Sequence, residues 1–380
     1  MVLMEFFATT VAGLEDIAAR EVEELTGVKA CPDVGKVLFS SGIREAATLN
    51  YAAKTLHKIF LLLKRCEVET LDDIERAARE VDYSQLISPE QSFAVRAERH
   101  GEHPFISPQI AARVGHAVIE SYKASRGVRL RVNLNEPDAE IYALVRGREL
   151  FLGLNTTGSS LHRRYYRAWH HRAAILPTIA SAMIELSGWR REQVFLDPFC
   201  GGATIPIEAA LRALRIAPGL RTEQTMKRLI IFDEHLLMEI AQKLAQNEEK
   251  PGEAVLSIYA ADASSKALEG ADTNIRRAGL EGVIKVRLGD ARYISKWLDT
   301  QPDVVVTNPP FGVRLGLSNP ELFYVETFKA LAGIRVSKIT LLTNKLTVIR
   351  RSLESAGWSI VNQRNIIYGT LTAAIFTAER

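Results

Sequence analysis

Val194-Phe195-Leu196-Asp197-Pro198-Phe199-Cys200-Gly201-Gly202 carries a short apolar strand into a glycine-bearing turn. Beyond Pro177, such apolar runs alternate with helical patterns to the C-terminus, which is the signature of an open, mostly parallel sheet covered on both faces. The spacing predicts strands at Val194 to Asp197, Val255 to Ala260, Ile284 to Arg287, Asp303 to Thr307 and Lys338 to Thr343. An antiparallel pair near Trp358 to Asn365 and Leu371 to Thr377 closes it. In a doubly wound sheet the turn after the first strand can cradle a nucleotide-like cofactor, and the end of a later strand opens onto the same crevice.

That later strand, Asp303 to Thr307, ends in Asn308-Pro309-Pro310-Phe311. The tetrapeptide suits the methylation of an exocyclic amine on a flat ring. Such a nitrogen is a poor nucleophile because its lone pair is delocalised, so acceptors on its two N–H bonds are needed to aim it. The Asn308 side-chain oxygen is one acceptor, and the Pro309 carbonyl, its direction restricted by the prolyl ring, is another. Phe311 offers a stacking face for an extruded base. The competing reading is a plain strand-end turn, since Asn and Pro punctuate strands generally.

A chain of 380 residues exceeds one ordinary domain, and 47% hydrophobic residues suffice for packed cores. The longest apolar run is far short of a membrane span, and Met1-Val2-Leu3-Met4-Glu5 lacks the basic region of a signal peptide. Cys31, Cys66 and Cys200 are scattered, without metal-ligand spacing, and fit reduced thiols of a cytoplasmic protein. A net charge of +3 leaves any nucleic-acid affinity to local patches.

Upstream, strands at Glu5 to Thr9, Lys36 to Ser40 and His57 to Lys64 alternate with helices at Leu14 to Leu25 and Ile43 to Tyr51. A second module follows, with helices near Leu71 to Glu80 and Ser107 to Ser121 and strands at Ser92 to Ala97, Arg129 to Leu134 and Ile141 to Val145. Ser107 is its expected N-cap, with Pro108 at the first helical position. Asn155-Thr156-Thr157-Gly158-Ser159-Ser160 reads as a linker. It leads into a basic and aromatic run from Leu161 to Arg172, including Arg163, Arg164, Tyr165, Tyr166, Arg167 and Trp169. The run suits contact with flipped or single-stranded nucleic acid, or alternatively a joint sealed by its tyrosines. His162, His170 and His171 lack Cys or carboxylate partners at fitting spacing, so no metal is expected. The segment Arg221 to Lys250 reads as a helix inside a crossover.

Taken together these residues resemble a known family. Asp197 to Thr204, Asp262 after the second strand, Gly289-Asp290-Ala291 after the third and Asn308 to Gly312 after the fourth resemble Rossmann-fold methyltransferases that use S-adenosylmethionine. Ser92 to Arg96, the Ser107 helix and Leu161 to Arg167 resemble a THUMP domain and the junction after it, which a ferredoxin-like module precedes in such enzymes. The family is that of THUMP-domain tRNA guanine-N2-methyltransferases, with the archaeal and bacterial acceptor-stem enzymes as the nearest pattern. The implied fold is α/β: a ferredoxin-like module at 1–64, THUMP at 65–154, a basic linker at 155–176 and the methyltransferase sheet at 177–380. Related tRNA enzymes acting on other guanosines often carry Asp-Pro-Pro-Tyr where this chain has Asn308 to Phe311.

The resemblance implies that Asp197, Pro198, Phe199, Cys200, Gly201, Gly202 and Thr204 line the cofactor turn. Asp197 would accept from the cofactor ammonium, and Thr204 would cap the following helix. Asp262, beside Ala263, would grip the ribose, and Asp290, beside Ala291, would accept from the adenine amine. Each aspartate alone could equally be a helix N-cap. Asn308, Pro309, Pro310 and Phe311 are the expected catalytic segment, with Asn308 also bordering the cofactor. Arg96, Arg99, His100, His103, Arg126, Arg129 and Arg131 would face tRNA, and a monomer suffices because one chain supplies both functions. Ribosomal RNA, DNA and a catalytically silent RNA-binding protein remain the rival readings.

Overall fold

A computed structural model describes residues 3–169, 174–252, 255–310, 319–368 and 371–380. By its internal contacts the chain divides into one unit of residues 1–9, 19–161 and 223–243 and another of 10–18, 162–222 and 244–380.

Up to residue 155 the elements are β1 (Met4–Thr9), α1 (Glu15–Thr26), β2 (Ala30–Asp33), β3 (Lys36–Ser41), α2 (Ile43–Ala52), β4 (Lys58–Glu67), α3 (Leu71–Arg79), β5 (Ser92–His100), α4 (Ser107–Arg126), β6 (Arg131–Val132), β7 (Ala139–Arg146) and β8 (Glu149–Asn155). All eight strands join one sheet in the order β2-β3-β1-β4-β8-β7-β5-β6. The two modules expected from sequence share this sheet, because β4 pairs with β8 as well as with β1.

Two strands escape the sequence reading for physical reasons. In β2, Pro32 breaks the strand pattern, and the structure tolerates it because β2 is an edge. In β8 nearly every side chain is buried, so no alternation shows, and Gly153 looks like punctuation. That glycine is required by crowding: a Cβ there would lie 2.8 Å from the Phe7 ring. Helix α4 is entered differently from expectation, with Ile106 at the N-cap and the Gln109 side chain accepting from the Ile106 N–H.

The expected linker is also built in. Asn155, Thr156 and Thr157 are buried. Thr156 and Thr157 hydroxyls exchange hydrogen bonds with the Asn50 amide at 3.0 and 2.6 Å and with the Ile59 backbone. Their polarity, which suggested solvent, instead satisfies a buried asparagine.

The second unit contains α5 (Pro177–Ser187), β9 (Phe195–Asp197), α6 (Thr204–Ala213), β10 (Ile258–Asp262), α8 (Ser265–Ala278), β11 (Ile284–Leu288), β12 (Val304–Thr307), α9 (Pro320–Gly333), β13 (Lys338–Thr343), α10 (Leu346–Ser355), β14 (Ser359–Tyr368) and β15 (Leu371–Glu379). The crossover helix α7 (Glu234–Asn247) lies between α6 and β10 in sequence. The sheet order is β11-β10-β9-β12-β13-β15-β14, with β15 antiparallel to both neighbours. Among the described residues no helix is long and apolar enough to cross a membrane.

Candidate active site

The site follows from the strand order. The chain steps from β9 outward to β10 and β11, then returns to β12 on the other side of β9, so β9 and β12 flank the switch point where such sheets open a crevice. They are parallel, with Leu196 opposite Val305. The turn beginning at Asp197 and the segment Asn308-Pro309-Pro310 therefore leave the same edge of the sheet. β10 and β11 run the same way, which brings Asp262 and Asp290 to that edge too.

All three aspartates are built alike. Asp197 accepts from the N–H of Phe199 at 3.1 Å, Asp262 from Ser264 at 2.9 Å and Asp290 from Arg292 at 2.9 Å. Each forms an Asx turn; Asp197 and Asp262 are the last residues of their strands, and Asp290 stands two residues past the end of β11. Their environments differ. Asp197 is buried and takes the Thr307 hydroxyl at 2.6 Å. Burial pushes its carboxyl up to about 7, against the lowering effect of those two hydrogen bonds, and the Asp262 charge adds to the rise. Asp262 is half-buried and also accepts from the Gly201 N–H at 3.1 Å, tying β10 to the glycine turn. Asp290 caps a short 3₁₀ turn, and its carboxylate is held 2.7 Å from Arg292, which keeps it below its ordinary value.

The glycine turn is supported from behind. Gly201 has φ +50°, and the direction its missing Cβ would take is open space. A Cβ on Gly202 would meet the Asn274 amide and the Trp169 ring at 3.0 Å. Buried Asn274 donates to the Gly202 carbonyl at 2.9 Å and accepts from the N–H groups of Ala168 and Trp169. Thr204 does not cap α6; it is the first helical residue, and Ala203 precedes it at φ +60°. Pro198 and Ala291 are buried, Ala263 is exposed, and burial pushes the Cys200 thiol up, so Cys200 packs as an apolar group.

Across the switch point, Pro309 is buried and Asn308 and Pro310 are half-buried. The Tyr324 hydroxyl of α9 donates to the Pro310 carbonyl. Phe311 lies outside the described residues, as do Gly312, His170, His171 and Arg172.

The basic and aromatic run is largely interior. Arg164 is buried and forks onto the fully buried Glu208 at 3.0 and 3.2 Å, and Glu208 also accepts from Tyr166 at 2.8 Å and Ser181 at 2.6 Å. Tyr165 donates to the Ala278 carbonyl, and Trp169 fills the space left by Gly270. Arg163 is exposed and Arg167 half-buried, so the phosphate-facing reading is confined to them among the described arginines. Upstream, Arg96, Arg99, His103 and Arg126 each engage a backbone carbonyl, and Arg96, His100, Arg126, Arg129 and Arg131 are exposed.

Sequence reasoning missed Thr307, Asn274, Arg292 and Tyr324. Thr307 and Arg292 had a signal, standing next to Asn308 and two residues after Asp290, whereas the other two are placed by tertiary register.

The model of the RMKL-like methyltransferase domain family matches residues 164–374, more than half of the chain. The chain belongs to this family. Models of the THUMP domain and of the RlmL ferredoxin-like domain match residues 68–155 and 5–60. Among curated family relatives, a tRNA (guanine(6)-N2)-methyltransferase of Methanocaldococcus jannaschii is 32% identical over 98% of this chain and 99% of its own length. One of the same name from Archaeoglobus fulgidus is 36% identical over 98% of this chain and 91% of its own. The solved structure of SMU.472, complexed with SAH, shares the fold with a TM-score of 0.88, 24% identity and coverage of 99% and 98%.

Proposed function

We propose that this protein moves a methyl group from S-adenosylmethionine to the exocyclic amine N2 of a guanosine in tRNA, at a position in the acceptor stem. The observation that carries the reading is the emergence of the glycine turn and the Asn308-Pro309-Pro310 segment side by side at the switch point. The names of the two archaeal relatives support the polymer and the nitrogen.

The residues of the turn fit the cofactor. Open space beside Gly201 admits a ligand close to backbone, Asp197 is a buried acid suited to a cationic ammonium, and Asp262 retains acceptor capacity for ribose hydroxyls. Asp290 would share its carboxylate between Arg292 and the adenine amine. When bound, the cofactor supplies an electrophilic methyl on a sulfonium.

Asn308 and the Pro309 carbonyl would accept from the two N–H bonds of the guanine amine and turn its lone pair toward that methyl, so catalysis is chiefly positioning. No strong base is needed beforehand, because the alkylated amine is strongly acidic and its proton leaves late to water or to these acceptors. Residues 65–154 and the module before them would hold the tRNA by shape and by its unpaired end. The protein would act as a monomer in the cytoplasm, without a metal.

Tritiated methyl transfer offered separately to bulk tRNA, ribosomal RNA and DNA tests the reading. Incorporation into tRNA is expected. Preferential labelling of ribosomal RNA or DNA overturns the choice of polymer, and labelling of none overturns the activity.

A further inference from the structure

Pro309 and Pro310 have no N–H, so of the described acceptor segment only Asn308 keeps a backbone donor. Anchoring falls to its carbonyls and to the side chains at its ends. If the Pro309 carbonyl is kept for the substrate amine, the Pro310 carbonyl is the next one available, and the Tyr324 hydroxyl takes it. At the other end Thr307 donates to Asp197 at 2.6 Å, fixing the last residue of β12 against the cofactor turn.

Tyr324 is 1% exposed, and its ring is set between Phe323 and Phe328, with centroids 5.6 and 6.3 Å away. Burial pushes its hydroxyl up to about 12, so it stays a donor throughout the neutral range. The preceding residue on α9, Phe323, meets Phe199 of the cofactor turn with ring centroids 5.9 Å apart. Successive residues of one helix thus touch the two loops whose separation governs methyl transfer.

We propose that Tyr324 and Thr307 are positioning residues for the acceptor segment, and that α9 sets the spacing between it and the cofactor turn through Tyr324 on one side and Phe323 on the other. The inference rests on the amine-methylation reading above and adds residues that touch neither substrate nor cofactor. A displacement of about 1 Å at the reacting atoms can cost on the order of a hundredfold in rate. Losing the Tyr324 anchor therefore lowers kcat and spares cofactor affinity.

The experiment measures kcat for transfer to whichever of the three polymers the wild type methylates, alongside the Kd for S-adenosylmethionine, in Tyr324→Phe, Thr307→Val, Thr307→Ser and Thr327→Val. Tyr324→Phe should lose roughly 10- to 100-fold in kcat with Kd within about twofold. Thr307→Val should lose rate to a similar extent and also raise Kd, because it removes the hydroxyl that favours the Asp197 carboxylate. Thr307→Ser, which keeps the hydroxyl, should recover most of the rate. Thr327→Val is the control: it removes an equally buried α9 hydroxyl that, among the described residues, donates within the helix to the Phe323 carbonyl, and should leave kcat unchanged. Wild-type kcat in Tyr324→Phe overturns the inference, as does a parallel loss of rate and cofactor binding in that variant. Wild-type labelling of ribosomal RNA or DNA in place of tRNA changes the polymer and leaves this comparison intact. A wild type silent on all three removes the activity, and the inference falls with it.

Discussion

The two loops at the switch point are held in opposite ways. After β9 the backbone organises itself: the N–H groups of Phe199, Cys200, Gly201 and Ala203 reach Asp197, Ala261, Asp262 and Cys200 in turn. After β12 the two prolines each lack a donor, and a threonine and a tyrosine from α9 supply anchors. A donor-rich loop presents a stable cradle through its own N–H groups, which its own turn and the end of β10 satisfy. A donor-poor loop leaves a carbonyl for substrate but depends on neighbours to aim it.

This contrast predicts a clean division between rate and binding. Asn308→Ala should give the largest effect, a fall in kcat of about a hundredfold or more with little change in cofactor affinity, as for loss of a positioned polar group. Single-turnover kinetics with equilibrium binding checks it, and a near-normal rate would break the contrast. Asn274→Ala acts on the other loop, removing the support of Gly202. Cofactor Kd should rise by about tenfold while kcat at saturating cofactor holds, on the scale of one lost charge-neutral anchor with its unmet partners.

Acidity probes the same loop. With the Asp197 carboxyl near 7, cofactor affinity should fall by about tenfold from pH 8 to pH 6, because the protonated acid no longer attracts a cation. Stability runs the other way. An acid whose folded value lies above its ordinary 3.8 favours the folded state most at low pH and loses that contribution as pH rises through about 7. Asp197→Asn should therefore gain stability over the wild type across that window, read by denaturant melts of the cofactor-free protein, and should flatten the pH dependence of binding. Arg131→Ala lies far from either loop in sequence and should change neither kcat nor cofactor Kd. Its tRNA affinity should drop about two- to threefold, with the salt dependence shallower by about one ion.

What sequence could show, and what it could not, follows the same physics. The placement of the aspartates and the glycine turn at one edge of the sheet was legible because a doubly wound sheet puts its loops at fixed points relative to local patterns. The strand Lys338–Thr343 was legible by its apolar run. Insertion of β15 between β13 and β14 was not, since nothing local distinguishes an antiparallel pair that adds from one that inserts. Arg164 misled because its charge is cancelled by Glu208, 44 residues away, and composition does not reveal burial of a pair. Asn155 to Thr157 misled for the related reason that small polar residues serve buried amides as well as solvent. Tyr324 is silent in sequence because its role depends on which helix lies beside the proline segment.

The most direct test of the central claim, that the two loops make one centre for methylating a ring amine, is the identity of the nucleoside formed. Wild-type protein, S-adenosylmethionine and unmodified tRNA, followed by complete digestion and mass spectrometry against standards, should yield N2-methylguanosine, and Asn308→Ala should abolish nearly all of it. A methyl group on a ring nitrogen, a carbon or a ribose oxygen would contradict the account.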